Sequence, residues 1–206
     1  MNWKKLAFLL LGASLLLSLL SGCGGKKNAE PPVETLPAAQ PSPEEETGGA
    51  ADLGSLASFT AGTLDGESFT QDDIAAKDIT VLNFWALTCP PCIAEMPEIA
   101  AFEKALPDNV AMVTVCLDGY GNEDSVQEIL DNAGFEGVTL LSGDGDLLDL
   151  ANHLMYTPTT VLANSDGTLV GEAIIGGQAD LSATYLEAVN QALTAGGKEE
   201  ISLENP

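Results

Sequence analysis

Two cysteines separated by two prolines, Cys89-Pro90-Pro91-Cys92, are the residues of this sequence best placed to do covalent chemistry. They follow directly on Ile79-Thr80-Val81-Leu82-Asn83-Phe84-Trp85, an apolar run rich in β-branched and aromatic residues, as expected of a strand buried on both faces. A helical pattern runs from about Pro90 to Leu106. The spacing therefore predicts the first thiol at a helix N-terminus, where free backbone N–H groups and the helix dipole favour the thiolate, the form that attacks a disulfide. The second thiol falls one turn on, close enough to attack a mixed disulfide and release the reduced partner. Pro90 and Pro91 suit the first turn, which has free N–H groups to lose. Cys89 is the candidate nucleophile and Cys92 the candidate resolving thiol.

The elements that must hold this pair can be placed coarsely. Phe59 to Phe69 alternates around Asp65-Gly66, a hairpin signal. Beyond the helix the pattern predicts a strand over 110–117, a helix over 123–133, a short strand over 138–141 and a helix over 146–154. A strand over 159–164, a turn at Ser165-Asp166-Gly167, a strand over 168–174 and a helix over 181–193 complete the order. Strands alternating with helices imply an α/β fold whose central sheet is largely parallel, covered on both sides and finished by an antiparallel hairpin. Chemistry in such sheets collects beyond the carboxyl ends of the strands, where Cys89 stands.

The ends of the chain have other compositions. Lys4 and Lys5 precede the apolar run Leu6 to Leu20, which is too short for an ordinary spanning helix and reads as an export signal over residues 1–22. It closes in Leu20-Ser21-Gly22-Cys23, which resembles the bacterial lipobox and makes Cys23 the expected lipid-attachment site. Residues 23–53 are then an acidic linker, with Pro31, Pro32, Pro37, Pro41, Pro43 and Glu44-Glu45-Glu46, too poor in apolar residues to fold. Residues 54–195 form one domain of ordinary size, and 196–206 a C-terminal tail. The formal charge is -24 over 206 residues, and loss of Lys4 and Lys5 with the signal moves it to -26. Such a charge disfavours nucleic acid and anionic lipid as partners.

Taken with its flanks, the motif resembles the TlpA/ResA-type thioredoxin-like disulfide reductases of the redoxin group. The matching strings are Val81-Leu82-Asn83-Phe84-Trp85-Ala86, Cys89-Pro90-Pro91-Cys92, Glu95-Met96-Pro97, Tyr156-Thr157-Pro158-Thr159-Thr160 and Asp166-Gly167. The resemblance implies a thioredoxin-like fold, a central mixed sheet flanked by helices, with a helix–strand insertion over Glu123 to Leu141. It implies a cis peptide before Pro158, a backbone at Thr157 that pairs with the substrate chain, and a proline at Pro97 that kinks the active-site helix. Substrate contact is expected at Trp85, Pro90, Pro91, Thr157 and Pro158. Where thioredoxin keeps a buried Asp this chain has Asn83, which cannot act as a base, so another group must serve Cys92. Glu95 matches a glutamate that such reductases place beside the disulfide and is the expected proton shuttle; spacing alone allows a solvated helix acid equally well. Thr88 departs from the tryptophan usual before the first cysteine.

No cofactor is expected. The resemblance implies reduction of disulfides in extracytoplasmic proteins, apocytochrome c among the clients, and recharging by a CcdA- or DsbD-type membrane electron donor. The lipobox-like string implies a chain held by its lipid on the outer side of a bacterial cell membrane. Cys116 reads as a buried small side chain rather than a third redox thiol, and His153 as a helix-surface or core residue. A thiol peroxidase needs Thr or Ser three residues before its reactive cysteine, where Ala86 and Cys89 stand, and a Sco-type copper site needs one residue more between the cysteines. A structural zinc site lacks two ligands. A non-catalytic tethered binding module remains open, to be separated by replacing both cysteines.

Overall fold

The computed structural model describes residues 54–203; the expected export signal, Cys23 and the linker to residue 53 lie outside the described residues. Twelve elements follow in order: β1 (Thr60–Thr63), β2 (Ser68–Thr70), α1 (Gln71–Ala75), β3 (Ile79–Trp85), α2 (Pro90–Lys104), β4 (Val110–Cys116), α3 (Glu123–Ala133), β5 (Val138–Gly143), α4 (Gly145–His153), β6 (Thr159–Asn164), β7 (Leu169–Ile175) and α5 (Leu181–Ala195). The strands make one seven-stranded sheet in the order β2-β1-β5-β4-β3-β6-β7.

The sheet is mixed rather than largely parallel. Only β3–β4 and β4–β5 run parallel, while β1–β2, β1–β5, β3–β6 and β6–β7 are antiparallel. Two of these pairs are hairpins, which short connections force to be antiparallel. Of the other two, β3–β6 is antiparallel because β6 enters from Pro158 at the carboxyl end of β3 and runs back along that strand.

Every residue of β3 is buried, and its side chains alternate between two cores. Ile79, Val81 and Trp85 belong to the core closed by α2, α3 and α5, where Met96, Leu130 and Val189 pack. Leu82 and Phe84 belong to the opposite core, with Ile74 of α1 and Leu147 and Leu150 of α4. Asn83 shares the parity of Val81 and Trp85, so its amide enters an apolar layer on the α2 and α5 side. Thr160, its partner in the antiparallel β3–β6 register, enters the same layer. Parity thus puts two polar groups in one core.

One element escapes the periodicity. Helix α1 has five residues, too few for a 3.6-residue repeat, but its N-terminus carries a capping box in which Thr70 and Asp73 serve each other's backbone. The string Thr70-Gln71-Asp72-Asp73 is the readable signal. At the other end the domain does not stop with α5: the Asn190 side chain bonds both N–H and C=O of Ile201, and Ile201 and Leu203 pack against the core. Within the stretch expected as a tail, Ile201 and Leu203 thus rest on the domain while residues 196–200 are exposed.

Candidate active site

Helix α2 begins where β3 delivers the chain to the edge of the sheet. Cys89 is its N-cap, with extended backbone (φ -107, ψ 94), and Pro90 and Pro91 fill the first helical positions. The loop between is fixed by the Cys89 N–H donating to Ala86 C=O at 3.1 Å and by the Leu87 N–H donating to Asp118 Oδ1 at 2.8 Å. Cys89 and Cys92 are joined as a disulfide with their Cα atoms 5.3 Å apart. The Cys92 N–H donates to Cys89 Sγ at 3.4 Å, one of the helix-terminal donors that would stabilise a thiolate there. Cys89 is 8% exposed, whereas Cys92 is wholly buried behind it.

Cys89 Sγ faces the turn that leads into β6, 3.6 Å from the Thr157 carbonyl oxygen; a disulfide sulfur has no proton to donate, so this is a contact that becomes a hydrogen bond only in the thiol. The Thr157–Pro158 peptide is cis. That turn is tied down on both sides. Thr159 Oγ1 donates to Tyr156 C=O at 2.8 Å, and the Gly176 N–H donates to Pro158 C=O at 2.8 Å. Beside it Met155 is 82% exposed and Tyr156 63% exposed, an apolar surface next to the reactive sulfur.

Behind the disulfide lies a buried polar cluster. Asn83 Nδ2 reaches Thr160 Oγ1 at 3.0 Å, the Tyr185 hydroxyl at 3.3 Å and Glu95 Oε1 at 3.4 Å, and the two hydroxyls are 2.7 Å apart. Glu95, one turn after Cys92, is only 8% exposed, so it is not a solvated helix acid. Its Oε2 has no partner among the described residues, and a Cβ built on Gly177 would lie 3.5 Å away, which places the segment after β7 over the carboxyl. Burial pushes the Glu95 carboxyl up to about 7, against the Asn83 amide, which lowers it, and with help from the negative charge of Glu98. Burial likewise pushes the Tyr185 phenol up to about 12. Glu98 in turn accepts the Leu181 and Ser182 N–H groups at 3.1 and 3.4 Å, capping α5 and drawing Tyr185 toward α2.

The structure gathers Cys89, Cys92, Pro90, Pro91, Thr157 and Pro158 at one edge of the sheet, with Glu95 beneath. Trp85 does not join the surface. Its side chain is 0% exposed, packed in the core that also holds both cysteines, because strand parity turns it inward; the expected contact with substrate is corrected to an internal one. Pro97 lies inside α2, which continues unbroken past it. Cys116 pairs in register with Trp85 and is a buried free thiol whose burial, reinforced by Asp118, pushes it up to about 12. His153 is exposed on α4, its Nδ1 2.6 Å from Asp149 C=O. Sequence reading missed Thr160 and Tyr185. Their signal was polarity at inward positions, Thr160 on a buried strand and Tyr185 in the apolar stripe Leu181, Val189 and Leu193 of α5.

Comparison with known proteins agrees with this geometry. The Redoxin family matches residues 38–179. The sporulation thiol-disulfide oxidoreductase A of Bacillus subtilis is 31% identical over 113 residues, 54% of this chain and 67% of that protein. ResA, a thiol-disulfide oxidoreductase of Halalkalibacterium halodurans, is 28% identical over 112 residues, 54% of this chain and 62% of its own length. Among solved structures, StoA of Bacillus subtilis superposes with a TM-score of 0.50 at 26% identity, covering 64% of this chain and 97% of that one. A putative thioredoxin of Neisseria meningitidis gives 0.54 at 25% identity, covering 67% and 89%. The chain belongs to the redoxin family, as a thiol–disulfide oxidoreductase of thioredoxin-like fold.

Proposed function

We propose that this protein is a membrane-tethered reductant of disulfides in extracytoplasmic proteins, working through Cys89 and Cys92. The observation that carries the reading is the unequal access of the two sulfurs: Cys89 is 8% exposed at a helix N-terminus, and Cys92 is 0% exposed. An incoming disulfide can meet only Cys89. The Cys89 thiolate attacks one client sulfur, the client S–S bond breaks, and the other client sulfur leaves as a thiolate that takes up a proton. Cys92 then gives its proton to Glu95 and attacks Cys89 Sγ, forming the Cys89–Cys92 disulfide and expelling the second client thiol. Two electrons pass to the client. A Glu95 carboxyl near 7 is matched to that transfer at neutral pH, which Asn83 cannot perform. Pro90, Pro91, Thr157 and Pro158 would line the client's path, with Thr157 offering backbone to its chain.

Recharging requires two electrons from a membrane donor of the CcdA or DsbD type, since an exported compartment lacks a cytosolic reductant. Lys4 and Lys5, the apolar run and Leu20-Ser21-Gly22-Cys23 support export and lipid attachment at Cys23. Cys92→Ser is expected to accumulate mixed disulfides with client proteins that reductant releases, and Cys89→Ser to form none. Mixed disulfides through Cys92 in the Cys89→Ser protein would overturn the assignment, and client binding that survives loss of both thiols would favour a binding module.

A further inference from the structure

Asn83 has two amide protons and three acceptors within reach. The separations rank them: Thr160 Oγ1 at 3.0 Å, the Tyr185 hydroxyl at 3.3 Å and Glu95 Oε1 at 3.4 Å, while Asn83 Oδ1 has no partner among the described residues. A planar amide donates each proton along one direction, so three acceptors cannot all be served at once. The two hydroxyls are coupled to each other at 2.7 Å, which holds them together on the amide. All four side chains are 8% exposed or less, so water does not screen the competition.

We infer that Tyr185 and Thr160 are positioning residues that compete with Glu95 for the Asn83 amide protons and so keep the Glu95 carboxylate under-solvated and proton-accepting. The inference deepens the proposed mechanism and rests on it for its catalytic meaning. The charged and titratable groups that face Glu95 can be named element by element: Glu98 on α2, whose charge raises it, and Tyr185 on α5. The Cys89–Cys92 disulfide does not titrate, Asn83 of β3 and Thr160 of β6 carry no charge, and the segment after β7 sets Gly177 beside the carboxyl. The hydroxyls therefore act through the shared amide. Because a hydrogen bond to a carboxylate favours its charged form, freeing an amide proton must lower the Glu95 midpoint.

This sign distinguishes competition from a merely structural or polar role. If the phenol simply helped to make the pocket polar, its removal would raise the Glu95 midpoint or leave it unchanged. The test is a carbon-13 NMR titration of the Glu95 carboxyl in the oxidised full-length chain, where neither Cys89 nor Cys92 titrates. Tyr185→Phe and Thr160→Val are each expected to lower the midpoint from about 7 by about one pH unit, the worth of one better hydrogen bond to a charge. Thr160→Ser, which keeps the hydroxyl, is expected to restore it, and Asn83→Leu to raise it. An unchanged or raised midpoint in folded Tyr185→Phe and Thr160→Val, judged by far-ultraviolet circular dichroism, overturns the inference and leaves the proposed mechanism standing. Should one of the two not fold, the other decides. A lowered midpoint that the pH profile of disulfide reduction fails to follow would support the competition and remove Glu95 from the mechanism.

Discussion

Replacing Glu95 by Gln should remove a pH dependence of stability that the native site carries. The carboxyl is 8% exposed, and burial raises it from 4.5 to about 7. Between those two values the folded protein holds a proton that the unfolded chain has released. Stability contributed by this group is therefore full below about pH 4.5, falls as pH rises toward 7 and stays low above it. At about 1.4 kcal/mol per pH unit, the span amounts to about 3 kcal/mol. Gln keeps the shape and the Oε1 acceptor for Asn83, but sets an N–H where Oε2 now has no protein partner, a cost of about 1–3 kcal/mol that does not vary with pH. Glu95→Gln should thus be the less stable protein at pH 4.5 and gain on the native one by about 3 kcal/mol by pH 8. Urea unfolding of both oxidised proteins at half-unit steps of pH measures the difference directly, since all other titrating groups are common to the pair. Stability curves that run parallel from pH 4.5 to 8 would refute the burial argument for Glu95.

Two further outcomes follow from the geometry. Cys116, buried and held as a thiol up to about 12, should resist iodoacetamide at pH 8 in the reduced native protein and react only after denaturation, while Cys89 is alkylated first; mass spectrometry of peptides reads the order. Gly167→Ala should destabilise the domain by about 2 kcal/mol or more, because its φ of +83 is left-handed and a Cβ would stand 2.6 Å from Leu56 C=O; a loss of unfolding free energy in urea below a few tenths of a kcal/mol would contradict this.

Much of the site was legible because local sequence fixes it. The run Ile79–Trp85, the motif Cys89-Pro90-Pro91-Cys92 and the helix after it are contiguous, so a thiol at a helix N-terminus could be read without tertiary knowledge. Sheet direction was less legible, since β6 pairs with β3 across a long stretch of chain and only the turn at Pro158 reverses it. The inward aim of Trp85 follows from strand parity once Asn83 is known to face α2. Thr160 and Tyr185 were hidden for another reason: they lie far from Asn83 in sequence, and only the β3–β6 register and the Glu98 cap on α5 bring them to it. Glu95 could be chosen as a candidate from resemblance, but its burial depends on α5 and the segment beyond β7, which no local pattern reports.

Reduction of disulfides by the Cys89–Cys92 pair is tested most directly by its equilibrium reduction potential in protein lacking residues 1–23. Trp85 is then the only tryptophan and packs in the same core as both sulfurs, so its fluorescence follows the titration against dithiothreitol buffers. One reversible two-electron transition is expected, with a midpoint near or below about -270 mV, that of thioredoxin. A midpoint near about -120 mV would make the protein a donor of disulfides, and the absence of any reversible transition would contradict a redox role for the pair.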